Sequence, residues 1–208
     1  MKKYFLLILL LIHFFASAQK FNGGIIAGGL VSQVDGDTWK GYNKFGFIAG
    51  AYVSLQVSQH SSFQMELEYI QKGSRHNADS SNFSDQTYLL RLHYIEVPVL
   101  YQFTFARRFS VEAGPAFDVL MGYEEEQDGI SNPPTEPIRN ITLSGILGAS
   151  CYLTNHLKAN FRLNYSLISL RNTSSPYPAS YRKIFFEYGQ YNNVLSLSLL
   201  WDFKVKEF

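Results

Sequence analysis

The chain has 208 residues and a formal net charge of +1 at pH 7, which argues against a strongly basic surface for nucleic acid. Apolar residues make up 46% and aromatic residues 16%. The mean hydropathy is nevertheless −0.08, far below that of a helical membrane protein and close to that of a barrel with a polar interior. The single cysteine, Cys151, excludes an intramolecular disulfide framework.

The N-terminus has the pattern of a secretory signal peptide. Lys2 and Lys3 precede the short apolar run Tyr4–Phe15, and Ala16-Ser17-Ala18 is a small-residue cleavage site. The run is too short for a spanning helix, which needs about 20 apolar residues. We therefore expect cleavage after Ala18, with residues 1–18 as signal peptide and residues 19–208 as one mature domain. An uncleaved membrane anchor is the alternative.

The mature chain alternates apolar strands with connections of two lengths. Eight strands are predicted, at Phe21–Gln33, Lys44–Ser58, Ser62–Gly73, Thr87–Thr104, Phe109–Tyr123, Asn140–Thr154, Leu157–Leu170 and Tyr191–Val205. Short turns and long loops take turns between them, as in outer-membrane barrels with long extracellular loops. Because only helices and closed barrels satisfy their backbone in lipid, the pattern predicts an all-β, up-and-down antiparallel transmembrane β-barrel of about eight strands.

The strand Leu157–Leu170 shows which face points outward. Phe161 and Leu163 share one parity, and Lys158 and Arg162 share the other. A cation near the midplane of a membrane barrel costs about 2–4 kcal/mol, so the apolar parity must face lipid. The fourth strand breaks this pattern, because its apolar residues change parity, and we expect a bulge near His93–Ile95.

Charged residues on the inward parity are expected to form a hydrogen-bonded ion network that plugs the lumen, since buried charges must be paired and eight strands leave room only for side chains. The predicted members are Glu66, Glu68, Lys72, Arg91, Glu96, Glu112, Asp118, Lys158, Arg162 and Asp202. A narrow ion pore is the alternative.

Candidate contact residues occur in the first and last long loops, where carboxylates, aromatic rings and cations cluster. They are Asp35, Asp37, Trp39, Tyr177, Tyr181, Arg182 and Lys183. The basic and aromatic residues suit lipopolysaccharide phosphates or a protein partner, and Asp35-Gly36-Asp37 suits either a turn or a divalent cation. The sequence predicts no catalytic, cofactor or metal site, and only His93, beside Glu96, suggests a lipid-modifying enzyme.

Several strand motifs resemble the PorT-like family of bacterial outer-membrane β-barrels. The segment Lys44–Gly50 is similar to the second strand of that family, and Glu66–Gly73 resembles its E-L-x-Y-x-x-K-G stretch. The most specific match is Tyr94–Leu100, which fits Y-x-E-[IV]-P-x-L. The resemblance implies an outer-membrane barrel in a Gram-negative-type bacterium, and the family namesake is tied to a protein-secretion system.

These observations predict a non-catalytic barrel with long extracellular loops and a structural or interaction role. The alternatives are an accessory component of a secretion or envelope-assembly machine, a soluble lipocalin-like binder and a lipid-modifying enzyme. The expected partners are outer-membrane lipid, lipopolysaccharide and an envelope protein, with no nucleic acid. The terminal Phe208 resembles the signal that barrel-assembly machinery recognises, so that machinery is an expected partner during biogenesis.

Overall fold

The computed structural model describes residues 20–78, 86–131, 137–171, 182–183 and 188–205. The predicted signal peptide and Phe208 lie outside these residues. The described part contains the strands β1 (Lys20–Asp35), β2 (Lys44–Gln56), β3 (Ser61–His76), β4 (Tyr88–Thr104), β5 (Phe109–Gln127), β6 (Ile130–Ser131), β7 (Ile141–Tyr152), β8 (Leu157–Ser166), β9 (Arg182–Lys183), β10 (Tyr188–Gly189) and β11 (Tyr191–Asp202). No described segment is a helix with the length and hydropathy to span a membrane.

Eight of these strands close into an antiparallel barrel. The hydrogen-bonded order is β4-β3-β2-β1-β11-β8-β7-β5, and pairing of β4 with β5 completes the ring. The last barrel strand is paired with the first, since β11 pairs with β1 from Gly24↔Asp202 to Asp35↔Tyr191. The predicted fold class and strand number are confirmed.

The two ends of the barrel differ in the length of their connections. Residues 57–60, 105–108 and 153–156 form short turns at one end, and residues 36–43, 77–87, 128–140 and 167–190 connect the strands at the other. Outer-membrane barrels have short periplasmic turns and longer extracellular loops. The long-loop end is therefore the outer end.

Apolar side chains cover the outside of the barrel wall. Leu67, Phe161 and Leu197 are 61%, 48% and 63% exposed on β3, β8 and β11. Their neighbours in sequence, such as Glu66 and Arg162, are 2% exposed. Such alternation is expected when one face meets lipid and the other meets an enclosed interior.

The fourth strand differs from the prediction. Leu90, Leu92 and Tyr94 are buried inside the barrel on the same parity as Glu96, so β4 keeps one parity throughout. The register shift does occur opposite His93 and Tyr94. Its extra residue belongs to β5, because His93 pairs with Gly122 and Tyr94 with Leu120, which leaves Met121 between them. The apolar inward residues had been mistaken for lipid-facing ones.

The strand boundaries that differ most from the prediction are the ends of β8 and β5. β8 ends at Ser166, and the chain turns inward so that Leu170 is 1% exposed in the interior. β5 continues to Gln127, so the acidic run Glu124–Glu126 is part of the barrel wall instead of a solvated loop. In both cases cross-strand partners decided the boundary, with β4 pairing along the extended end of β5.

Candidate functional site in the barrel lumen

The predicted lumen residues, apart from Arg91, face the interior. Their exposed fractions are 4% or less. They come from β3, β4, β5, β8 and β11, where each occupies the inward position of its strand. The inward parity that carries them is shared by uncharged polar residues. These include Gln64, Asn160 and Asn164, and also Gln102 and Ser144, which the sequence did not single out.

Arg162 of β8 is the centre of the first cluster. Its Nη2 and Nη1 donate to the two carboxylate oxygens of Glu66 at 2.6 and 2.7 Å, a bidentate arrangement that fixes both groups. Its Nε donates to Glu112 Oε1 at 2.6 Å, and Glu68 Oε1 lies 3.5 Å from Nη1. One guanidinium therefore joins carboxylates from β3 and β5 across the lumen.

Amide side chains complete the hydrogen bonds of these carboxylates. Asn160 Nδ2 donates to Glu112 Oε1 at 2.9 Å, and Gln102 Nε2 donates to Glu112 Oε2 at 2.8 Å. Gln64 Nε2 donates to Glu66. Buried carboxylates need such partners, because a charge without them is strongly disfavoured in a low-dielectric interior.

Lys72 of β3 is the centre of the second cluster. Its Nζ donates to Glu96 and, at 2.8 Å, to Asp118 Oδ1. It also lies 5.6 Å from the centroid of the Tyr94 ring. Asn164 Nδ2 donates to Glu96, and Ser144 Oγ donates to Asp118. The cluster ties β3, β4, β5, β7 and β8 together.

Lys158 and Asp202 form a third group near the periplasmic end. The hydroxyls of Tyr52 and Tyr152 both donate to Asp202, the latter at 2.7 Å. Lys158 Nζ lies 5.7 Å from the centroid of each tyrosine ring. Lys158 is 2% exposed, and within the described residues no carboxylate lies within ion-pair distance of it. The ammonium instead faces the rings of Tyr52 and Tyr152. The hydroxyls of these tyrosines bind the Asp202 carboxylate.

Arg91 lies outside this network, and its prediction as a lumen residue is wrong. It is on the outward parity of β4, its side chain is 36% exposed, and it pairs with Glu124 of β5. The physical reason is the register of β4, which keeps Leu90 and Leu92 inside and so places the residue between them outside.

Above the ionic clusters, the outer part of the interior is apolar. This outer apolar layer was not foreseen, because Leu90 and Leu92 were expected to face lipid and Val34 and Ile138 were expected in loops. It consists of Leu30, Val34, Ile48, Ile70, Leu90, Leu92, Tyr94, Ile138, Leu170 and Val194. Ile138 and Leu170 lie in the described ends of two long connections, and these ends pack into the mouth of the barrel.

The periplasmic end of the interior is open and polar. A cavity of about 1020 Å³ lies there, lined by amide and hydroxyl side chains including Gln64, Gln102 and Ser62. Lys158 and Asp202 also line it. From outside to periplasm, the interior thus consists of an apolar layer, an ionic layer and a polar cavity.

The predicted contact residues of the first loop are engaged with the barrel. Asp35 accepts hydrogen bonds from Gln33, Tyr165 and Asn193 at 2.9–3.3 Å. Asp37 accepts hydrogen bonds from Ser74 Oγ at 2.6 Å and from the Trp39 backbone at 3.0 Å. These internal bonds hold both carboxylates in the loop, as expected of turn formers.

Trp39 folds back over the barrel mouth. Its indole ring stacks on the His76 ring at a centroid distance of 4.0 Å and lies 6.3 Å from Tyr88. Burial of Asp37 in this region raises the pKa of its carboxyl group to about 6, against the opposing effect of the Ser74 hydrogen bond. The first loop is therefore a packed element of the rim.

The candidate residues of the last loop are only partly described. Tyr177 and Tyr181 lie outside the described residues. Arg182 and Lys183 form β9, which pairs with Tyr188 and Gly189 of β10. Their predicted role in contacts remains a prediction.

His93 is not part of a catalytic arrangement with Glu96. Glu96 is buried in the lumen, whereas His93 is on the outward parity and its Nδ1 shares a hydrogen bond with the Tyr69 hydroxyl. Within the described part of the chain, no three His, Cys, Asp or Glu side chains converge as a metal site would require. The inward charges instead bond to side chains of other strands, as Arg162 does with Glu112 and Lys72 with Asp118.

Comparisons with known proteins agree with this architecture. Residues 17–172 match the family model of the outer membrane protein beta-barrel domain. The Yersinia pestis attachment invasion locus protein Ail is structurally similar at 13% identity, with a TM-score of 0.51 and coverage of 88% of this chain and 99% of Ail. Neisserial surface protein A has the same identity and TM-score, with coverage of 90% and 100%.

At these identities the two structures show a shared fold. No curated protein matches the chain significantly. The outward apolar faces exclude the soluble lipocalin-like alternative, because a dissolved protein rarely exposes apolar patches of this extent. The family match covers most of the chain, and the chain belongs to the outer membrane protein beta-barrel domain family and resides in the outer membrane.

Proposed function

We propose that this protein is a non-catalytic barrel with a closed lumen that acts through its outer loops. The observation that supports this most directly is the double closure of the interior. Arg162 joins Glu66 and Glu112 across the ionic layer, and the outer apolar layer lies above it. A hydrated path would have to cross both layers.

Single-channel recording in a planar bilayer tests the closed lumen. We expect no stable open conductance from the purified barrel, because Leu92, Tyr94 and Arg162 are at most 2% exposed. Reproducible conductance steps in the unmodified protein would support the alternative of a narrow pore. A variant with Arg162→Ala and Leu92→Ala serves as the positive control for an opened interior.

An exposed polar residue in an outer loop supports interaction through the loops. Asn77 in the second long loop is exposed, whereas Asp35 and Trp39 are held against the barrel. Lipopolysaccharide and an envelope protein are the partners we propose for this end. The barrel-assembly machinery remains the proposed partner during biogenesis, through a C-terminal segment that includes residues outside the described ones.

The PorT-like resemblance supports the fold more than a shared role. The residues that match its most specific motif, Tyr94, Glu96, Pro98 and Leu100, all face the interior. Glu96 binds Lys72, which belongs to the second motif. The motif residues therefore have a structural explanation in the packing of the lumen. The secretion or envelope-assembly role is the second candidate function.

Site-specific photo-crosslinking in cells separates the two candidates. A photo-reactive residue at Asn77 reports on the outer loops, and one at His60 reports on a short periplasmic turn; both positions are exposed. The first candidate predicts specific adducts from position 77 and none from position 60. Adducts from position 60 with envelope proteins would favour the second candidate, and no adducts from either would contradict both.

A further inference from the structure

The outer ends of β2 and β3 meet at an irregular seam, which lies beyond their regular pairing. The β2–β3 register runs from Ile48↔Ile70 to Gln56↔Ser62, and the first residues of β2 pair with β1, as in Lys44↔Ser32. The Lys44 side chain reaches into this seam. Its Nζ donates to the Phe45 carbonyl at 2.6 Å and lies 3.4 Å from Gln71 Oε1.

Two arginines lie next to this ammonium on the outside of the wall. Gly73 of β3 pairs with Arg91 of β4, so Gln71 and Arg75, two residues to either side, are diagonal neighbours of Arg91 at about 7–8 Å. Arg75 is exposed, and the Arg91 side chain is 36% exposed. Lys44 is only 4% exposed beside them, and Arg75 and Arg91 are the accessible members of what is called here the rim cation cluster.

The acidic side chains of this rim lie to one side of the cluster. Glu124 of β5 forms an ion pair with Arg91. Glu126, also on β5, is the cross-strand partner of Leu89 on β4. Lys44 is bound to a carbonyl and an amide, and Arg75 Nε to the Asn77 amide oxygen at 2.8 Å. Within the described residues, neither has a carboxylate at ion-pair distance. Among the described residues, the β2–β3 side of the cluster thus carries positive charge without a paired carboxylate.

The cluster lies at the level where the apolar wall ends. Phe45 is 75% and Phe47 50% exposed on β2, and the hydrogen-bonded pair Tyr69 and His93 lies on the adjacent strands. Arg91 is two residues further out than His93, or about 7 Å along the strand. Aromatic residues of barrels mark the membrane interface, and lipid phosphates lie just beyond it.

We propose that the rim cation cluster binds a phosphate group of an outer-leaflet glycolipid, with Phe45 against its acyl chains. Arginine presents a planar fork that matches phosphate oxygens, and charge-assisted hydrogen bonds of this kind are strong. The lipid source is favoured over free phosphate because Arg75 and Arg91 open on the lipid side of the wall, beside the exposed Phe45. The proposal rests on the proposed contact with lipopolysaccharide and assigns it a site on the barrel wall; it does not require the loops to bind a protein partner.

Native mass spectrometry of the purified barrel with added lipid A, a doubly phosphorylated glycolipid, tests the proposal. The test variant is Arg75→Gln with Arg91→Gln, which leaves the buried Lys44 in place. The matched control is Arg107→Gln with Arg108→Gln, which removes two exposed arginines from a periplasmic turn. Heat-modifiable gel migration verifies that both variants fold.

We expect the test variant to retain lipid A on the order of tenfold more weakly than the parent, a difference of about 1.4 kcal/mol. The control variant should bind as the parent does, and dephosphorylated lipid A should bind the parent as weakly as lipid A binds the test variant. Equal retention by the test variant and the parent would overturn the proposal. Displacement by equimolar inorganic phosphate would overturn the lipid as the source of the phosphate.

Discussion

The inside of this barrel has two layers that are closed by different physics. In the ionic layer, Arg162 and Lys72 hold carboxylates from opposite strands by directed, charge-assisted bonds. In the outer apolar layer, Leu92 and Ile70 fill space without directed bonds. A lumen can therefore be closed either by ion pairs or by apolar packing. Substitutions in the two layers should lower the free energy of unfolding for different reasons, loss of a buried cation in one and a cavity in the other.

The largest effect is expected from Arg162→Met. The substitution leaves Glu66, Glu68 and Glu112 buried without their cation, and breaking a buried pair in this way costs about 3–5 kcal/mol. Reversible urea unfolding in lipid vesicles, followed by tryptophan fluorescence, measures the loss. Arg91→Met is the matched control, because its pair with Glu124 is exposed and such pairs contribute about 0–1 kcal/mol. Equal losses would contradict the assignment of Arg162 as the centre of the ionic layer.

The apolar layer is tested by Leu92→Ala. Leu92 is fully buried inside the barrel, and truncating such a leucine costs about 2–5 kcal/mol, depending on how far the cavity collapses. The same unfolding assay applies. Leu197→Ala, on the lipid-facing wall where the side chain is 63% exposed, should cost clearly less. A larger loss from Leu197→Ala would place Leu92 at the lipid face.

Lys158→Met sharpens the comparison within the ionic layer. Lys158 lies over the rings of Tyr52 and Tyr152 and has no direct ion pair within the described residues. A desolvated contact of this kind contributes about 2 kcal/mol, so the loss should be smaller than that of Arg162→Met. A loss equal to that of Arg162→Met would show that Lys158 is a full member of the ion-pair network.

The smallest effect concerns the first loop and pH. The pKa of Asp37 is raised to about 6, so the folded loop binds this proton more tightly than the unfolded chain does. The contribution of Asp37 to loop stability is therefore fully present below about pH 4 and is lost as pH rises through 6. In a Trp201→Phe background, Trp39 fluorescence should change with a midpoint near pH 6.

Asp37→Asn should abolish that transition, because the amide does not titrate. His76→Gln is the control, since the His76 ring stacks on Trp39 and is an ionisable group in direct contact with the fluorophore. A transition that survives in Asp37→Asn and disappears in His76→Gln would assign the pH response to the histidine instead.

The barrel itself was predictable from the sequence because the strand period is two and the lipid face is costly to violate. The alternation of Phe161 and Leu163 with Arg162 was enough to place the charges inside. The predicted strand Lys44–Ser58 and the observed β2, Lys44–Gln56, differ only at the periplasmic end. Inward charges were identified by the same parity rule, with Arg91 as the exception.

The local pattern failed where the interior is apolar. Leu90, Leu92 and Tyr94 look like lipid-facing residues, because hydrophobicity alone does not distinguish a dry lumen from the bilayer. Ile138 gave no signal either, since it belongs to a predicted loop, and Leu170 was predicted at the end of a strand that in fact ends at Ser166. The partners of Arg162 and Lys72 were also beyond the sequence, because Glu66 and Glu112 meet Arg162 only when the ring closes.

The amino-acid order by itself determined the class of structure, the number of barrel strands and which face of most strands meets the bilayer, since these follow from alternation along a single strand. Only the tertiary structure decided the register of β4 and β5, the depth of each inward residue and the pairing of the buried charges. Those features depend on which residues become neighbours when β11 pairs with β1 and β4 with β5, and contacts between distant parts of the chain leave no periodic trace in the sequence.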